Sequence, residues 1–188
     1  MSTISHHTIS LDGFVAGPED SIDWAFGYGS ATSLLDETMQ RIGAILAGRR
    51  WHDLAIERWD GVDGIYGGRY EGEVFVLTHR PPARSSDERI RFVSGELDEA
   101  VGVAQAAAGD NDVGIFGGSL TQQCLESGLL DEIVLHVAPV LLGRGVRLLG
   151  GHGDREVELE RLSVDAAEQL TDLRFRVVRA SAAPACPR

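Results

Sequence analysis

Residues 113–138, VGIFGGSLTQQCLESGLLDEIVLHVA, constrain the fold more than any other part of the sequence. A short apolar run leads into Gly117 and Gly118, a helical stretch follows from Leu120 to Glu126, Gly128 supplies a stop, and a long apolar strand begins at Glu132. Strand, helix and strand in that order form a crossover, and a crossover lays its two strands parallel in one sheet. The second strand, EIVLHVAPVLL, is apolar on both faces apart from His136, the pattern of a strand covered on both sides. The glycine pair has two readings. One is a tight turn. The other is a phosphate seat, in which glycines let backbone N–H groups approach an anion and the helix N-terminus adds donors and a favourable dipole, with Ser119 as the N-cap.

The rest of the chain repeats the alternation. STISHHTISL reads as a strand, residues 12–30 as a long loop rich in glycine and aromatics, TSLLDETMQR as a helix, IGAILAG as a strand, and RRWHDLAIE as the start of a second helix. The loop GVDGIYGGRYEG precedes the strands EVFVLT and IRFVS, and Leu97, Val101 and Ala104 recur at helical spacing in GELDEAVGVAQAAAG. The stretches REVELERLSVDA and LTDLRFRVVRA alternate as an antiparallel pair. Together these elements predict one α/β domain over residues 1–179, a three-layer sandwich with a mostly parallel central sheet and a C-terminal antiparallel hairpin, followed by a flexible tail at 180–188.

Charge and composition narrow the chemistry. A formal charge of -12 over 188 residues disfavours nucleic acid and anionic membrane as partners, since both demand a basic face. No apolar run approaches the roughly 20 residues that span a bilayer, and the N-terminus lacks the order of a signal peptide, so the expected location is cytoplasmic. All 17 basic residues are arginine. Without lysine the chain has no amine for Schiff-base chemistry and no P-loop lysine. Cys124 and Cys186 form no metal-ligand spacing, and His6, His7, His52, His79, His136 and His152 are scattered without a metal motif, so no metal is expected.

Three strand ends carry anion-binding chemistry, and in parallel sheets ligands sit beyond the carboxyl ends of strands. At the first, Gly48 closes a strand while Arg49 and Arg50 open a helix, where two cations oppose the helix dipole unless an anion joins them. At the second, Thr78, His79 and Arg80 leave a strand together, a set able to clasp a phosphate monoester. The third is Gly117, Gly118, Ser119 and Leu120. Three such seats suit a dinucleotide better than a single phosphate.

The motifs SLDGFVAG, AGRRWHD, VLTHR and FGGSLTQQCLESGLLDEIVLHVAPVLLGRG resemble, in succession, those of the dihydrofolate reductase-like fold, in the branch that includes the C-terminal reductase domain of bifunctional riboflavin-biosynthesis proteins. The resemblance runs from about Ile4 to Val178. It implies an NADPH-dependent reductase of a small nitrogen heterocycle, similar to 5-amino-6-(5-phosphoribosylamino)uracil reductase, in which Gly48–Arg50 and Gly117–Leu120 hold the pyrophosphate and Thr78, His79 and Arg80 approach the ribose phosphate of NADPH. It also implies a cis peptide between Gly117 and Gly118, and a homodimer. The riboflavin-pathway reductases carry a lysine after S-L-D-G and a glutamate before the glycine pair; this chain has Phe14 and Phe116 there. A phenyl ring binds no sugar phosphate, so those two residues and Trp24, from the aromatic loop, become candidate walls of a different substrate pocket.

Hydride chemistry asks the protein to orient two rings and guide a proton. Asp36, on the first helix, and Asp12, in the turn LDG, are the carboxylates considered as proton donors. Two alternatives stay open on sequence: a protein of this fold that binds a dinucleotide or small molecule without reducing anything, and a flavin-binding oxidoreductase.

Overall fold

The elements in chain order are β1 (Thr3–Ser10), β2 (Phe14–Ala16), α1 (Ser33–Arg41), β3 (Ile42–Gly48), α2 (Arg49–Arg58), β4 (Glu73–Leu77), β5 (Ile90–Val93), α3 (Leu97–Ala108), β6 (Asp112–Phe116), α4 (Gly118–Glu126), β7 (Glu132–Ala138), β8 (Val146–Arg147), β9 (Leu159–Ala167) and β10 (Leu170–Val177). They come from a computed structural model that describes residues 1–29, 32–58, 61–82, 87–150 and 156–179. The tail at 180–188, Cys186 and His152 lie outside the described residues.

Local chemistry accounts for the helices. Thr32 caps α1 by accepting the Leu35 N–H at 3.1 Å, and Leu34 and Thr38 give that helix its buried side. Ala100, Val101, Ala104 and Ala108 form the buried stripe of α3, which stops at Gly109 with φ 62°. No helix among the described residues is long and apolar enough to cross a membrane.

Eight strands form one sheet in the order β5-β4-β3-β6-β1-β7-β10-β9. The first six run parallel, and β10 and β9 close the sheet as an antiparallel hairpin, as the sequence predicts. On one face α3 and α4 pack over Leu46, Val113, Ile115 and Ile133. On the other face Ile45, Val74, Val76 and Phe116 form a second cluster with Ile65 and Tyr70, and Leu34 of α1 covers Ile4 and Val134. The result is a three-layer α/β sandwich.

Two stretches read as loops contain structure. Phe14–Ala16 pairs with Val146–Arg147 in a two-stranded ribbon, and residues 61–68 form a 3-10 turn, broken at Ile65–Gly67, that delivers Ile65 to the second cluster. Both were invisible as periodicity because a three-residue strand and a glycine-rich turn are shorter than any repeat. At the other ends, β7 stops at Ala138 and β9 begins at Leu159, each shorter than the apolar patterns suggest.

A bulge at Gly43 sets the register of the sheet centre, since Ile42 pairs with Asp112 while Ala44 pairs with Val113. A Cβ at Gly43 would lie 2.7 Å from Asn111 Cβ and 2.8 Å from the Ala108 carbonyl oxygen. Gly43→Ala is therefore expected to destabilise the protein by about 1–2 kcal/mol through overpacking. Denaturant unfolding checks this: a midpoint equal to that of the parent protein would show that α3 can shift freely.

Candidate active site

The helices α2 and α4 leave neighbouring strands, β3 and β6, for opposite faces of the sheet, and a crevice opens between their N-termini. Gly48, Arg50, Trp51 and Leu54 form one side; Gly117, Gly118, Ser119 and Leu120 form the other. The first bond within α4 runs from the Thr121 N–H to the Gly117 carbonyl at 2.9 Å, which leaves the Gly118, Ser119 and Leu120 N–H groups without helical acceptors. Gly117, not Ser119, is the N-cap, so the helix starts two residues earlier than the sequence suggests. The Ser119 hydroxyl instead lies 3.2 Å from the Gln123 amide nitrogen, which donates to it. No peptide bond among the described residues is cis, contrary to the expectation for Gly117–Gly118. A φ of 104° at Gly117, open to glycine alone, turns the chain into the helix with a trans bond.

The arginine pair at α2 is not left with bare positive charge. Arg49 Nε donates to Asp53 at 2.7 Å, and Arg50 Nη2 donates to Asp20 at 2.6 Å. Arg49 also donates through Nη1 to the Arg80 carbonyl at 2.9 Å, tying α2 to the turn after β4. In that turn the Arg80 N–H donates to Thr78 Oγ1 at 3.1 Å. Thr78, His79 and Arg80 line one open shelf, as the sequence groups them; Arg49, which the sequence groups with Gly48 and Arg50, lines that shelf rather than the crevice, and the exposed Arg80 guanidinium has no ion pair among the described residues.

A cavity of about 300 Å³ adjoins the crevice, and Trp51 and Ile22 belong to both linings. Its floor is the C-terminal half of β1, with His6, His7 and Thr8, joined by His136 of β7. Phe116, 8% exposed, is its aromatic centre: the Trp51 and Tyr66 rings meet it edge-on at 5.3 and 5.9 Å, and His7 lies 6.1 Å away. Among the described residues, no arginine or carboxylate lines this cavity. Arg69 borders an adjoining cavity that shares Thr8, Tyr66 and His136, and its guanidinium donates to Asp36 at 2.7 Å.

The remaining expected site residues are placed elsewhere. Asp12 accepts from the Ser10 hydroxyl at 2.6 Å, the Gly143 N–H at 2.7 Å and the Leu142 N–H at 3.1 Å. Those bonds, the Ser10 bond foremost, hold its pKa down to about 2, so it carries no proton at neutral pH and serves as a loop staple. Phe14 is buried in β2 beneath the Arg147 guanidinium, 4.4 Å from the ring centroid, and lines neither cavity. Trp24 donates from its indole nitrogen to the Ser21 carbonyl at 3.1 Å, and its loop neighbours Ile22 and Phe26 face the cavity instead. Asp36 reaches the rim only through Arg69.

Sequence reasoning missed a buried polar chain. His136 Nδ1 lies 2.7 Å from Asp172 Oδ1, His136 Nε2 lies 2.7 Å from His6 Nε2, and His6 Nδ1 lies 2.7 Å from the Tyr66 hydroxyl. Burial first, then the neighbouring His136 and His7, pushes the His6 pKa well below its ordinary value. Burial likewise lowers His7 to about 4 and, with Tyr70 nearby, raises Tyr66. The available signal was a lone histidine inside the apolar strand β7; its partners could not be read without the register.

A glycine-lined crevice at the switch point of a mostly parallel sheet, flanked by an aromatic cavity, accompanies the dihydrofolate reductase-like fold. Within that class the chain belongs to the RibD C-terminal domain family, whose profile matches residues 68–171. It is 24% identical over 148 residues to the uncharacterised protein YwjB of Bacillus subtilis, covering 78% of this chain and 81% of that protein. Among solved structures it is similar to a putative riboflavin biosynthesis protein from Shewanella sp. PV-4, at 24% identity and a TM-score of 0.79, with 95% of this chain and all 100% of that one covered. It also shares the fold of dihydrofolate reductase from Enterococcus faecalis complexed with NADP(H), at 10% identity and a TM-score of 0.63, covering 94% of this chain and 96% of that one.

Proposed function

We propose that the protein is an NADPH-dependent reductase acting on a flat, uncharged nitrogen heterocycle of the pterin or pyrimidine type. The observation that carries this reading is the shared Trp51 wall, with helix N–H donors that have no acceptor within α4 on one side and an aromatic cavity on the other. The crevice suits a pyrophosphate. Gly117 and Gly118 present no side chain there, and the N-terminal amides of α4 are free to donate. When bound, the nicotinamide dinucleotide supplies the hydride.

The chain's own residues would do the rest. The α4 amides and Gly48 seat the diphosphate, while Thr78, His79 and Arg80 take the ribose phosphate. Trp51 and Phe116 orient the heterocycle and exclude water. An apolar lining at Phe116 argues for a substrate without a phosphorylated sugar, because a buried phosphate there would meet no cation among the described residues. The relationship to the RibD C-terminal domain family supports the reductase class, and the Enterococcus faecalis enzyme, named as a complex with NADP(H), supports the cofactor. A cytoplasmic homodimer belongs to the same proposal.

Calorimetric titration with NADPH and with NADH is the test. Saturable NADPH binding, tighter than NADH, is expected; no saturable binding of either ends the reading.

A further inference from the structure

The chain Asp172–His136–His6–Tyr66 crosses three strands, β10, β7 and β1, and ends at the cavity on the 61–68 segment. Asp172 on β10 is directly opposite His136 on β7, and His136 is directly opposite Thr8 on β1, so the strand order sets the histidine of β7 between the carboxylate and His6. His6, His136 and Asp172 are 6%, 2% and 1% exposed. Tyr66, His6 and His136 line the aromatic cavity. Tyr66 also has a φ of 52°, a left-handed conformation uncommon for a tyrosine, and Gly67 follows in the same region.

Hydrogen-bond polarity allows this chain two ordered states. Between two imidazole nitrogens 2.7 Å apart a single proton is shared, so the tautomers are coupled. In the first state Tyr66 donates to His6 Nδ1, His6 Nε2–H donates to His136 Nε2, and His136 Nδ1–H donates to ionised Asp172. With one more proton, His136 is an imidazolium that donates to Asp172 and to His6 Nε2. Neutral His6 then carries its proton on Nδ1 and donates to the Tyr66 oxygen, and the Tyr66 O–H is released for another acceptor. Asp172 Oδ2 has no partner among the described residues.

We propose that these four residues form a proton relay that delivers one proton through the Tyr66 hydroxyl to the substrate bound in the cavity. The relay rests on the reductase reading for its purpose. Tyr66 gives its proton to the substrate atom that becomes electron-rich as hydride arrives, and takes the His6 Nδ1 proton. His6 Nε2 then takes the proton of His136 Nε2, and His136 is left neutral beside ionised Asp172. The substrate gains one proton, the chain loses one, and solvent restores it. Tyr66 is the catalytic residue; His6, His136 and Asp172 act through it.

The other ionisable groups around the chain leave this order intact. His7, neighbouring His6 on β1, is held neutral by burial and lies 3.3 Å from Thr121 Oγ1. Tyr70 lies 6.4 Å from the Tyr66 ring, and burial keeps its hydroxyl protonated. Arg69 and Asp36 neutralise each other at the rim, and Asp165, opposite Asp172 on β9, is exposed.

The test uses the protein alone, uniformly labelled with 15N, with histidine tautomers read by long-range 1H–15N correlation from about pH 8 to about pH 5. His6 is expected to pass from Nε2–H to Nδ1–H, without becoming charged, in the same step in which His136 gains a proton. In Asp172→Asn, with an unchanged amide fingerprint, His6 should keep Nε2–H throughout. A His6 that holds one tautomer in the parent protein, or that takes up a proton before His136, overturns the relay. NADPH titration separates the two ideas: failed cofactor binding removes the reductase reading, whereas a non-switching His6 with intact cofactor binding removes only the relay.

Discussion

Replacing Arg41 with methionine is expected to destabilise the protein by about 2–4 kcal/mol, because it takes the guanidinium from two nearly buried carboxylates, leaving Asp112 without an ion pair among the described residues and Glu132 with Arg174 alone. Arg41, the last residue of α1, donates to Asp112 at 2.8 Å and to both oxygens of Glu132 at 3.1 Å. Arg174 of β10 donates to the same Glu132 at 2.8 Å, and the Asp112 and Glu132 side chains are each 11% exposed. The cluster ties α1, β6, β7 and β10 at the edge of the sheet opposite the crevice. Thermal unfolding should show a midpoint lowered by roughly 5–15 °C, with NADPH affinity unaltered. Burial opposes ionisation of Glu132, but the hydrogen bonds from Arg41 and Arg174 outweigh it and lower the Glu132 pKa. The stabilisation is therefore full above the ordinary glutamate pKa and is lost as pH falls through the depressed folded value. The gap between parent and variant should narrow in acid; a gap that stays constant there would place the cost in packing rather than charge.

Arg80→Gln is expected to weaken NADPH binding by about 10- to 100-fold while changing NADH binding little, since a charge-assisted hydrogen bond to phosphate contributes about 1.5–3 kcal/mol. Arg49 and Arg50 are already engaged by Asp53 and Asp20, which leaves Arg80 as the guanidinium on the shelf without an ion pair among the described residues. The loss should shrink as salt is raised, because the shelf is open to solvent. Parallel calorimetry with both dinucleotides reads the effect. Equal losses for NADPH and NADH would mean that Arg80 supports the turn rather than the 2′-phosphate, a role its backbone bonds to Thr78 and Arg49 could also serve.

Much of the fold was legible because it is encoded in short range. The apolar strands, the helical stretch before Ile42 and the stop at Gly128 after α4 each follow from a few adjacent residues. The crevice was legible for the same reason: Gly48–Arg50 and Gly117–Leu120 are contiguous motifs, each at a strand end. Single residues judged by type were less informative. Asp12 became a loop staple because Leu142 and Gly143 arrive from a distant part of the chain with unsatisfied N–H groups. Phe14 and Phe116 looked equivalent in sequence, yet β2 turns the first under Arg147 while β6 ends the second in the cavity.

The sequence alone therefore determined the alternation of strand and helix, the parallel sheet that crossover units require, the glycine turns at its carboxyl edge and, by lacking lysine, the chemistries closed to the chain. Those properties depend on periodicity, turn geometry and composition, which are local or global but never pairwise. Tertiary structure decided which carboxylates pair with which arginines, where the wall between crevice and cavity stands, and that Asp172, His136, His6 and Tyr66 meet in one line. The antiparallel pairing of β10 with β7, together with the parallel pairing of β7 with β1, puts Asp172, His136 and Thr8 in one row, and a slip of one residue would turn the side chains of the slipped strand to the other face. Such a row exists only once strand order and register are set by contacts between residues far apart in the chain.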